Sequence, residues 1–234
     1  MALLSYDGWL FLLRWTHFLS GITWIGILYY FNFVQTPFFA ETEPGVRSGA
    51  VQKLVPRALW WFRWGAMITF LSGGLYLVQE VPRVGFAAGS YSWAILLGAI
   101  IGTFMWGNVW FVIWPKQKIV IQNAIDTAAG RPANPAAAAA GGRAGLASRT
   151  NTLFSIPMLF YMGAAKHLTL PIPRSGAFFW IVALIIIVAV ELNALLATPG
   201  TTPTAKPLAT VKGTLWAGFI LALIFYVWFE VMRG

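Results

Sequence analysis

Residues 181–190 read IVALIIIVAV, ten consecutive residues without a polar side chain. The run lies in a longer apolar stretch, about Gly176 to Ala197, close to the roughly 20 residues a helix needs to cross hydrocarbon. A soluble fold would have to bury such a stretch on every side, and this chain lacks the polar residues to do so. Of its 234 residues 59% are hydrophobic and 10% charged, with a mean hydropathy of +0.71; an average soluble domain is about 45–50% apolar and about 25% charged. A soluble globular fold is excluded. The expected fold is an all-α polytopic membrane bundle, a single domain over residues 1–234. The 13 Trp, 18 Phe and 7 Tyr agree, since aromatic rings collect at membrane interfaces.

Six spans are predicted, at about Trp9–Phe33, Leu59–Val78, Ser92–Trp114, Asn151–Ala165, Gly176–Ala197 and Leu215–Val231. The fourth is the shortest and most polar. The first is not read as a cleaved signal peptide, because it carries Arg14 and His17 and no small-residue cleavage site follows. Basic residues gather after spans one, three and five: Arg47, Lys53, Arg57 and Arg63, then Lys116, Lys118, Arg131, Arg143 and Arg149, then Lys206 and Lys212. The opposite side holds Arg83, Lys166, Arg174 and Arg233. By the positive-inside rule both termini are non-cytoplasmic, which suits a bacterial inner membrane. The net charge of +9 then belongs to cytoplasmic loops, and nucleic acid is not an expected partner.

Two loops are more than linkers. Residues 42–57 contain a short surface helix closed by Pro56. From Pro115 a basic amphipathic stretch, PKQKIVIQNAIDTAAG, suggests an interfacial helix. It is followed by an Ala/Gly-rich segment, residues 129–146, expected to be a flexible connector.

Each ionisable residue inside a span needs a reason, since insertion costs roughly 2.5–3.5 kcal/mol. On the first span Arg14, His17, Ser20, Gly21 and Trp24 fall on one helix face. Four roles are open to His17: a haem ligand with Arg14 neutralising a propionate, a proton-transfer group, a hydrogen bond to a quinone or substrate, or a tie between helices. The other histidine, His167, ends span four on the same membrane side, so a bis-imidazole haem b site is one arrangement. Glu191, in span five, is read as a helix-tying ion pair with Lys212 or as a proton-relay carboxylate. Gly98-x-x-x-Gly102 and Ser72-Gly73-Gly74 read as close-packing surfaces. With no Cys, covalent c-type haem and iron–sulfur clusters are excluded.

Ordered motifs then suggest a relationship. Arg14-Trp15-Thr16-His17, Gly21, Trp24-Ile25-Gly26 and Tyr30-Phe31 are followed by Trp61-Phe62-Arg63-Trp64 and Pro115-Lys116-Gln117-Lys118. Arg149-Thr150-Asn151, Ile156-Pro157, Phe160-Tyr161-Met162 and His167 complete the set. Over about residues 9–170 the chain resembles the membrane domain of the cytochrome-c-linked urate hydroxylase (urate oxidase) family, without that family's cytochrome c domain. It departs from the family pattern at Trp60, where a histidine is usual, at Gly65 in place of a carboxylate, and at Thr150 within an Arg-His-Asn motif. A weaker similarity exists to the small haem-binding membrane protoporphyrinogen oxidases.

The resemblance implies a membrane oxidoreductase, with urate oxidised to 5-hydroxyisourate and electrons passed to a separate cytochrome c or a quinone. His17 and His167 become haem-ligand candidates, Arg14 a propionate partner, and Trp24, Arg149 and Asn151 further motif positions. The alternative is a non-catalytic scaffold or accessory subunit of a larger respiratory or photosynthetic membrane complex.

Overall fold

A computed structural model describes residues 2–85, 89–198 and 202–234. After a short 3₁₀ turn (Ala2–Leu4), α1 (Tyr6–Tyr29) passes through a π-helical segment (Tyr30–Gln35) into α2 (Thr36–Glu41). Then come α3 (Pro44–Lys53), α4 (Val55–Val84) and α5 (Ser90–Gly107), which continues through a second π-helical segment (Asn108–Ile113) into α6 (Trp114–Ala128). The chain ends with α7 (Ala137–His167), α8 (Gly176–Leu195), a 3₁₀ segment (Pro203–Ala209) and α9 (Val211–Val231). Among the described residues there is no strand, only an isolated bridge between Pro173 and Arg233.

Local chemistry accounts for the helix limits. The Ser5 hydroxyl accepts from the Gly8 N–H at 3.1 Å to cap α1, and Thr210 does the same for Gly213 at 3.0 Å on α9. The two π segments each end just before a proline, Pro37 and Pro115. Proline has no N–H and its ring crowds the preceding turn. The helix widens there instead of breaking, with the N–H groups of Thr36 and Trp114 bonding five residues back to Phe31 and Val109. Each wide turn carries a buried asparagine, Asn32 or Asn108.

Two expectations about the loops change. The segment expected to be flexible over 129–146 is helical from Ala137 onward, as the opening turns of α7. Alanine has the highest helix propensity, and this part of α7 packs against α6. Pro56 sits in the first turn of α4 and starts that helix, whereas α3 ends at Lys53.

The segments Tyr6–Glu41, Ser90–Ala128, Gly176–Leu195 and Val211–Val231 are long and apolar enough to cross a membrane. The chain therefore has the character of an all-α membrane protein. α4 and α7 are equally long, at 30 and 31 residues, but more polar. For α7 the packing explains this polarity. It is the central helix, with α5, α6, α8 and α9 against it, and Thr150, Asn151, Thr152 and Ser155 are wholly buried. The hydroxyls of Thr150, Thr152 and Ser155 bond to carbonyls three or four residues back, which satisfies polar groups inside the bundle. Apolar side chains on the outer surfaces, among them Ile22, Ile181, Ile185, Phe219 and Leu223, are exposed, as a lipid-facing surface requires.

One face of the bundle gathers both chain ends. There Arg83 pairs with Asp7 at 3.1 Å, Leu170 N–H donates to Ser90 at 2.7 Å, and Arg174 N–H donates to Met232 at 2.8 Å. It is called the terminal face below.

Candidate functional site

α1 packs on α4, and α5 packs on α7. Between these two pairs, toward the terminal face, lies a cavity of about 750 Å³. Small-molecule and cofactor sites fall in the range of about 300–1,000 Å³. Glycines make the room: Gly21 and Gly26 from α1, Gly73 and Gly74 from α4, Gly102 from α5 and Gly163 from α7 all line it. Arg14, His17, Trp24 and His167 line it too. The structure thus brings both histidines and the first-helix stripe to one space.

His17 is held in a defined way. Its Nδ1 lies 2.9 Å from the carbonyl oxygen of Thr69 on α4. A carbonyl can only accept, so Nδ1 carries the proton and the neutral ring keeps its lone pair on Nε2. The ring rests on Gly73, where a Cβ would come within 2.7 Å of its Cε1 and Nδ1. Gly73, expected as a helix-packing residue, is the seat of the imidazole. Below it Ser20 accepts from the Thr69 hydroxyl at 2.9 Å. His167, the last residue of α7, is exposed at the rim.

Positive charge rings the same space. Arg14 donates to the Tyr76 hydroxyl at 2.5 Å and has no carboxylate partner among the described residues. Lys166 lies 4.4 Å from the Tyr91 ring and 3.9 Å from Glu80, a buried carboxylate also 3.8 Å from Arg83. Tyr76, Glu80 and the Thr69 carbonyl were not singled out in the sequence, where no local pattern marks them. Trp24 is buried, and its indole N–H has no hydrogen-bond partner among the described residues.

The ion pair expected between Glu191 and Lys212 is not formed. Lys212 is exposed at the start of α9. Glu191 instead accepts from the Asn108 side-chain amide at 2.9 Å. The same amide donates to Asn151 Oδ1 at 2.9 Å, and Asn151 donates to the Met105 carbonyl at 2.9 Å. The wide turn at 108–113 sets Asn108 between α7 and α8, so a neutral amide occupies the place expected for a cation. Asn151 is thereby tied into packing. Arg149, two residues earlier, lines a second, smaller pocket toward the opposite face.

The departures from the family pattern have a structural counterpart. A Cβ at Gly65 would lie 3.2–3.4 Å from α1 backbone atoms at Ser20 and Trp24, so a carboxylate side chain there would require α1 to shift by a few tenths of an ångström. Thr150 is buried and bonds to the Leu146 carbonyl at 3.0 Å. Trp60 is exposed beside Trp61 and Trp64.

The sequence matches the urate oxidase N-terminal family model over residues 86–227, more than half its length. The chain belongs to that family. The match begins after α4, so it takes in Arg149, Asn151, His167 and Glu191 and leaves α1, with Arg14 and His17, outside. No curated protein and no solved structure matches the chain.

Proposed function

From membership of the urate oxidase N-terminal family, we propose that the chain is a membrane redox protein. It binds haem b between α1, α4, α5 and α7 and passes electrons to a separate cytochrome c or a quinone. One observation carries the reading. His17 has its Nδ1 committed to the Thr69 carbonyl, its Nε2 free, and a cavity beside it that it shares with His167. Metal-binding histidines usually donate their other ring N–H to a carbonyl or carboxylate in this way, which fixes tautomer and orientation.

The donor set fits such a group. Among the described residues no cluster of three or more His, Cys, Asp or Glu could hold a metal ion unaided, whereas a porphyrin brings four ligands and asks for one or two imidazoles. His17 and His167 are the residues that would hold the haem iron through their imidazoles. Arg14 and Lys166 stand where carboxylates of a bound group would meet positive charge. Glycines line the cavity from four helices, and the apolar side chains of Phe18, Ile22 and Leu159 border it. When bound, the haem supplies reversible one-electron chemistry. The chain's part is to hold the imidazole, fix its tautomer and neutralise the acidic edge.

The family's own substrate, urate, belongs to this reading by resemblance. Six membrane crossings, counting α4 and α7 as spans, with the terminal face outside the cytoplasm of a bacterial inner membrane, belong to it from the apolar segments and the placement of the basic residues. The test is the optical spectrum of the purified chain supplied with haem. A b-type Soret band that His17→Ala abolishes and His167→Ala shifts supports the assignment. Absence of the band overturns it. A second reading, a non-catalytic subunit of a larger membrane complex, is favoured by the departures from the family pattern at Gly65 and Thr150. It predicts no band and co-migration with partner subunits on native gels.

A further inference from the structure

A second pocket, of about 260 Å³, lies toward the face opposite the termini, and no residue lining it also lines the His17 cavity. Its walls come from the first π segment, the N-terminal half of α7, α4, the α5–α6 junction and the 3₁₀ segment Pro203–Ala209. Among the described residues Arg149 is the one charged group lining it, and no Asp or Glu does so.

Arg63, like Arg149, has a buried donor without a partner among the described residues, its Nε, but Arg63 does not line the pocket. Arg63 lies 4.0 Å from the Trp114 ring, Arg131 pairs with Asp126 at 2.5 Å, and Arg143 donates to the Ala194 carbonyl at 3.0 Å. Arg149 has no carboxylate within ion-pair distance among the described residues, and its buried Nη1 has no hydrogen-bond partner. The Arg149 side chain is half-buried, and its Nη1 is a donor shut away from water and unused, a cost that a bound acceptor would relieve. The same pocket holds a second orphan, Gln35 Oε1, which is buried without a partner among the described residues. Turned over, that amide offers an N–H instead, because the two ends are assigned from their surroundings. Ser148 already accepts from Asn32 at 2.8 Å, so its own hydroxyl proton remains to be donated. Gln117 adds a further amide at the wall.

We propose that this pocket binds a small oxyanion, carboxylate or phosphate, on the Arg149 guanidinium. Gln35, Ser148 and Gln117 are the accessory hydrogen-bonding groups. The planar guanidinium fork matches two oxygens of such a group. The volume, below the usual range for drug-sized ligands, admits a few heavy atoms only. The wide turn at 30–35 is what turns Asn32 and Gln35 toward α7 together, and such distortions recur at functional sites. The anion comes either from solution or from the phosphate of a lipid headgroup.

The experiment uses the full chain in detergent and in nanodiscs. Binding of acetate and of inorganic phosphate is measured by calorimetry, and retention of phosphatidylglycerol by native mass spectrometry. One site per chain for a soluble anion identifies a solution ligand; retention of phosphatidylglycerol alone identifies a lipid. Either is expected to weaken on the order of tenfold to a hundredfold in Arg149→Gln, the range of a lost charge-assisted contact. Should that variant fail to fold, Gln35→Leu and Ser148→Ala replace it, each with a smaller loss. No binding by wild type, or binding unchanged in the folded variants, overturns the proposal. The haem spectrum is a separate readout from a separate cavity, so failure of one reading leaves the other standing.

Discussion

Gly73 and Gly74 are neighbours on α4, and both line the large cavity, yet an added methyl group meets different surroundings at each. At Gly74 no heavy atom lies within 4 Å of an added Cβ. At Gly73 that carbon would come within 2.7 Å of His17 Cε1 and Nδ1. Replacing glycine by alanine inside a helix gains about 1 kcal/mol in propensity, and Gly74→Ala should show most of it. Gly73→Ala earns the same gain but must move the imidazole. The ring has the cavity to move into, but moving breaks the 2.9 Å contact between Nδ1 and the Thr69 carbonyl, a loss of about 0.5–1.5 kcal/mol. Residual overpacking adds about 1–3 kcal/mol where the ring moves incompletely. Gly73→Ala is therefore expected to be about 1–3 kcal/mol less stable than Gly74→Ala. The assay is chemical denaturation in mixed micelles, repeated in a His17→Ala background. There the clash is gone, so the two alanine variants should become equal, which isolates the pairwise coupling. Equal stability of the two with His17 in place would refute the seating of the ring on Gly73.

Further expectations concern packing between helices. Gly98→Ala places a carbon 3.2 Å from the Met158 carbonyl and Met162 N and 2.9 Å from Met162 Cγ. Because backbone cannot yield cheaply, a loss of about 1–3 kcal/mol is expected in the same denaturation assay, while Gly102→Ala, with its nearest contact at 3.6 Å, should be tolerated. Asn108→Leu leaves Glu191 and Asn151 without the amide that joins them, at a cost of about 1–3 kcal/mol or more. Glu191→Gln keeps an acceptor for Asn108 and should cost less than half as much; the reverse order of stabilities would exclude the amide bridge.

Much of the bundle was legible in the sequence because helix formation and apolar patterning are local. The apolar run of α8 and the small residues of α5 carry their meaning within a few turns. The polar stripe of α1 did so as well, and it led to the cavity. The fourth span was read as short because Thr150, Asn151, Thr152 and Ser155 look polar along the chain. They are buried in the centre of α7, where carbonyls on the preceding turn take the hydrogen bonds of the three hydroxyls and Asn151 bonds across to Met105 and Asn108. The Ala/Gly-rich stretch looked loose because its composition alone does not show that α6 lies against it.

The sequence by itself determined that this chain belongs in a bilayer as a set of long helices, and that a cationic, histidine-bearing face on the first of them points inward. Only the tertiary structure decided which helices meet. It placed His17 against Thr69 and Gly73, gave Glu191 an asparagine in place of a lysine, and left Arg149 unanswered beside Gln35. The physical reason is separation along the chain. A helix closes its own hydrogen bonds within four or five residues, but the partner of a side chain depends on how two helices pack and where a widened turn rotates them. No local pattern encodes that.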